Sequence, residues 1–177
     1  MIASLSAGIV LGLSAGLSPG PLLTLLIYQT LKHSIKEGVK VAFAPLITDL
    51  PIILISTFVL SRLANFRTVL GIISLAGGFF VIYLAYESFR TSRLDINVQE
   101  AEPQSFKKAA AVNALNPHPY LFWLSVGAPT IIKTWEENPF AALAFVIGFY
   151  ACLVGSKVFI ASLVSKSRQF FIGKTYV

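Results

Sequence analysis

Two ionisable residues lie where long apolar runs separate them from water. Asp49 sits in the middle of VAFAPLITDLPIILISTFVL, and Lys157 in the middle of ACLVGSKVFIASL. A charged group at the centre of a membrane helix costs about 2.5–3.5 kcal/mol on insertion scales, so it faces a bundle interior or a water-filled cavity and takes a partner. The simplest expectation is an intramembrane Asp49–Lys157 ion pair near the midplane. A purely structural salt bridge, or a Lys157 that snorkels to an interface, would be the unreactive alternatives. As a functional pair they would mark the central site, and Asp49 could carry a coupling proton or the substrate amine.

Two proline motifs flank this chemistry. Leu17-Ser18-Pro19-Gly20-Pro21 and Leu115-Asn116-Pro117-His118-Pro119 both read Leu, small polar, Pro, any residue, Pro. Each interrupts an apolar segment. Proline removes a backbone hydrogen bond and clashes with the preceding turn. In lipid the freed carbonyls would be costly, so such breaks belong beside protein or a wet cavity. Matching breaks in two halves of a chain point to a transporter site, although simple proline kinks would give the same pattern. Asn113, Asn116 and His118 cluster at the second motif. They could satisfy freed carbonyls or bind a substrate amine or carboxylate, and His118 could line, gate or only support the site. No second ligand stands at metal spacing from His118, so no metal is expected, and no cofactor.

The elements that must position these residues are membrane helices. Of 177 residues, 55% are hydrophobic and only 12% charged, and the mean hydropathy is +0.75. An average soluble chain carries about 25% charged residues. A bilayer core needs about 20 apolar residues per helix, and five segments qualify: 2–31, 39–60, 68–89, 109–135 and 139–165. The expected fold is therefore all-α, a polytopic membrane helix bundle in one transmembrane domain. Residues 1–90 would form a first half of three spans, 91–107 a polar cytoplasmic loop, and 108–177 a second half of two spans. Three spans per half would make the repeat an inverted 3+3, with the sixth helix apparently absent. The closing stretch from Lys166 to Val177 reads as a loop leading towards such a helix. Truncation and a genuine five-span protein both fit it.

Net charge is +6, but the basic residues lie between apolar runs. They read as membrane-flanking charges and not as a nucleic-acid face. Lys32, Lys36, Lys40, Arg90, Arg93, Lys107, Lys108, Lys166, Arg168 and Lys174 fall on one side, against Arg62, Arg67 and Lys133 on the other. The positive-inside rule then puts the N-terminus outside and the tail in the cytoplasm of an inner-membrane protein. The N-terminus lacks a signal-peptide layout. Gly8, Gly12, Gly16 and Gly20 recur every fourth residue, a small-residue face suited to close helix packing. Ser14 could line a site or bond its own helix. Tyr120, Phe122, Trp123, Trp135 and Tyr150 are expected at interfaces and in packing.

At Gly16-Leu17-Ser18-Pro19-Gly20-Pro21, Asp49 and Asn116-Pro117 the chain resembles the LysE-type translocators, the lysine-exporter and homoserine/threonine-resistance family. The likeness runs over essentially the whole chain in order and spacing. It implies an ion-gradient-driven secondary exporter of amino acids or related metabolites, with six helices. The family usually has Gly before the acidic residue of the second span, where this chain has Thr48, and Lys157 is not a residue the resemblance leads one to expect.

The expected site therefore comprises Ser18, Pro19, Gly20, Pro21, Asp49, Asn113, Asn116, Pro117, His118 and Lys157. The expected partners are the lipid bilayer, an amino-acid substrate, a coupling proton and a second copy of the chain. An intramembrane enzyme lacks its inventory here: no paired catalytic carboxylates, no histidine cluster, no nucleophile with a base. Cys152, the lone cysteine, cannot form a dithiol and is expected to be packed. A non-transporting structural or assembly subunit stays open as the alternative.

Overall fold

The computed structural model describes residues 1–62 and 104–172, with side chains to 167, and the single positions 72, 75, 79 and 82. The expected third span, 68–89, and the loop after it fall almost wholly outside the described residues. What is described is helical: α1 (Ile2–Leu17), α2 (Pro21–Lys32), α3 (Ile35–Arg62), α4 (Ser105–Leu115), α5 (Pro117–Phe122), a π-helical turn (Trp123–Gly127), α6 (Ala128–Glu137) and α7 (Pro139–Ile172). The protein is an all-α membrane bundle.

Two described helices, α3 and α7, are long and apolar enough to cross a bilayer, and α1 with α2 makes a third when the bent pair is taken as one span. The outward faces of the long helices are apolar: Ile47, Ile55, Phe58, Ile147 and Phe159 are all exposed. In lipid this exposure has no hydrophobic cost, so helix association rests on close packing. α3 supplies much of that packing, touching α2, α4, the π turn, α6 and α7. It begins at Ile35, so the expected first loop shrinks to His33 and Ser34. Glu37 lies in its first turn, where a carboxylate complements the helix dipole, and bonds Lys40 at 2.7 Å. Asn138 caps α7 through the amide of Phe140 (2.9 Å), with Pro139 at its first position, where no amide is needed.

α1 runs along α7, the most extensive helix pair among the described elements. The reason lies in Gly8, Gly12 and Gly16. A Cβ at each would collide with α7: with the carbonyl of Phe145, the carbonyl of Phe149 and the hydroxyl of Ser156, respectively. The glycine stripe is thus packing, as expected, for three of its four members. Gly20 departs from it, since a Cβ there would meet nothing within 4 Å.

Candidate functional site

Both proline motifs break their helices. α1 ends at Leu17 and α2 starts at Pro21, with a 63° bend between them. α4 ends at Leu115 and α5 starts at Pro117. The residue before the first proline has the same extended conformation in each break. Ser18 has φ −59°, ψ 126°, and Asn116 has φ −78°, ψ 125°. A following proline disfavours the helical region for its predecessor, which explains the match. The breaks differ in length. Gly20 is fully extended (φ −175°, ψ 177°), and the helix resumes only at the second proline. In the second motif Asn116 accepts from the His118 amide at 3.1 Å. That cap lets the helix restart at the first proline.

The severed helix ends find side-chain partners. The Lys157 ammonium donates to the Gly16 carbonyl at 3.2 Å, and the Tyr120 hydroxyl donates to the Ala114 carbonyl at 2.7 Å. Each oxygen belongs to the last turn of a helix, where the next amide is missing. A cation at that end is also favoured by the helix dipole.

Asp49 is buried on α3 and accepts three hydrogen bonds. Asn113 Nδ2 donates to its Oδ1 at 2.7 Å. Trp123 Nε1 and the Tyr150 hydroxyl donate to its Oδ2 at 3.5 and 3.4 Å. The same Asn113 amide also donates to Thr48 Oγ1 at 2.7 Å, and the Thr48 hydroxyl donates to the Ala44 carbonyl one turn back. Thr48, standing where the resembled family has Gly, thus holds the side chain that holds Asp49. Trp123 sits at the start of the π turn, and a Cβ at Gly127 would strike its indole. The ring is enclosed by Phe122, Phe149 and Tyr150, with centroids 5.2–6.1 Å away.

One cavity of about 140 Å³ collects these parts. Ser18, Pro19, Gly20, Pro21, Asp49, Asn113, Asn116, His118 and Lys157 all line it; Pro117 does not. The expected Asp49–Lys157 ion pair does not form: the ion pair among the described residues is Lys40–Glu37. Both charges face the cavity, but each hydrogen-bonds to another group, Lys157 to a main-chain oxygen and Asp49 to neutral donors. Lys157 does not snorkel either, being 3% exposed.

Trp123 and Tyr150 pack in the core, as the packing half of the expectation had it, but both also donate to Asp49, a role the sequence reading missed. The signal available was spacing. Tyr150 and Lys157 are seven residues apart, which puts them on one helix face.

A helical membrane bundle that gathers two broken helices and two buried charges around one small cavity has the architecture of a transmembrane transporter. The LysE type translocator family matches residues 13–176. The chain belongs to the LysE type translocator family, whose members are transporters and not enzymes. No curated protein and no solved structure gives a significant match.

Proposed function

We propose that this chain is a secondary exporter of amino acids or closely related small metabolites, and that the cavity between the two breaks is its binding site. One observation carries the reading: both proline breaks and Asp49 line the same cavity of about 140 Å³. That is close to the roughly 150 Å³ of an engineered apolar cavity that binds benzene, so it suits one small solute. Asp49 is the group for a substrate ammonium or for a coupling proton. Ser18, Gly20, His118 and the prolines shape the walls. The inner membrane, the outside N-terminus, the cytoplasmic loop at 91–107 and the paired halves belong to the same reading.

The test is efflux from vesicles containing the full chain and loaded in turn with labelled standard amino acids. At least one should leave faster than from empty-membrane controls, and acidifying the outside should accelerate it. Asp49→Asn should abolish the gain. Efflux of every amino acid at the control rate would overturn the reading.

A further inference from the structure

We infer that Lys157 is a carboxylate anchor, so that the transported solute must carry a free carboxylate. The inference rests on the exporter reading and adds the chemical demand that the cavity makes.

Lys157 is 3% exposed and lines the cavity. An ammonium has three N–H donors and no acceptor. One donor goes to the Gly16 carbonyl, a neutral oxygen, so the ammonium has no direct ion-pair partner. No carboxylate lies within ion-pair distance of it among the described residues. Asp49, the other charge on the cavity, is held by Asn113, Trp123 and Tyr150 and makes no ion pair with Lys157. A buried cation without an anion is costly, and a monoanion entering the cavity relieves that cost. One positive charge with two spare donors matches one carboxylate. On the same lining, the first turn of α2 at Leu22 and Leu23 presents amides with no partner inside the helix, and this helix end favours negative charge. The solute is thereby oriented, with its carboxylate at Lys157 and its amine towards Asp49.

The experiment has two arms. In vesicles, each amino acid that the full chain exports is compared with its carboxamide. The amide should be exported about 10- to 100-fold less efficiently, the range expected for losing a hydrogen bond to a charged group. Lys157→Gln, which keeps a donor for Gly16 but removes the charge, should erase the discrimination. Amides exported as well as acids by the unaltered chain would overturn the anchor while leaving the exporter reading intact. The second arm uses purified full-length protein and needs no transport. Sodium acetate should raise its melting temperature above the effect of sodium chloride at equal ionic strength. Acetamide should not, and the acetate effect should vanish in Lys157→Gln and in Lys157→Met. An acetate effect that depends on Lys157, in a chain that moves no amino acid, would sink the exporter reading and keep the anchor. An acetate response equal to that of acetamide, or one unchanged in both variants, would overturn it.

Discussion

Asn113 and Asp49, 64 residues apart in sequence, join two helices through one 2.7 Å hydrogen bond. The bond ties the last turn before the second break to the middle of α3. Because the same amide also grips Thr48, the carboxylate is fixed in position rather than free to rotate.

That relationship predicts energetic coupling. Asn113→Ala and Asp49→Ala should each lower stability, and their combination should lose less than the sum. An interaction of about 0.5–3 kcal/mol is the usual range for residues in one network. Denaturant unfolding of the two single variants and the double variant in detergent measures it, and strict additivity would mean the bond is not made.

The glycines should separate into two classes. Gly12→Ala places a methyl against the Phe149 backbone, which cannot rotate away. Overpacking of this kind costs about 1–3 kcal/mol, so folded yield and melting temperature should fall. Gly20→Ala meets open space and has a backbone that any residue can adopt. Its yield should hold, while efflux falls because the methyl lies on the cavity wall.

Gly127 should act on the site from a distance. Gly127→Ala pushes on the Trp123 indole, which donates to Asp49. The variant should fold with modest loss, shift the fluorescence of Trp123 in a Trp135→Phe background, and reduce efflux. Unchanged fluorescence would show that the ring is not pinned there.

Orientation is testable without transport. Reporter fusions after Gln104 and after Val177 should both report the cytoplasm, as the basic-residue bias requires. A periplasmic signal from either would refute the proposed topology.

Asp49, Lys157 and the two breaks could be read from the sequence because an ionisable residue or a proline in an apolar run is conspicuous against its neighbours. Trp123 and Tyr150 could not be read in the same way. Their apolar bodies suit any membrane segment, and one N–H or O–H decides their role only when a carboxylate stands opposite. The partner of Lys157 was hidden for a different reason. It is a main-chain oxygen of Gly16, and a pattern of side chains says nothing about which carbonyl a broken helix will expose. The breaks also differ in length: the Asn116 side chain caps a helix that restarts at the first proline, whereas after Ser18, its equivalent, the helix resumes only at Pro21.

The contact of α1 with α7 also bears on how such a protein would move. Two rods slide past each other when a layer of compliant side chains lies between them. Along Gly8, Gly12 and Gly16 that layer is missing, and the backbone of α7 at Phe145, Phe149 and Leu153 fills the notches. Sliding by less than a full turn would drive carbonyls into Cα atoms. The pair is therefore expected to travel as a single strut, carrying Lys157 and the end of α1 together. Among the described residues the helical run is interrupted beside the cavity at residues 18–20 and at Asn116, so a change of access is expected to bend there, tilting α2 and the continuous helical run 117–137 against a stiff beam.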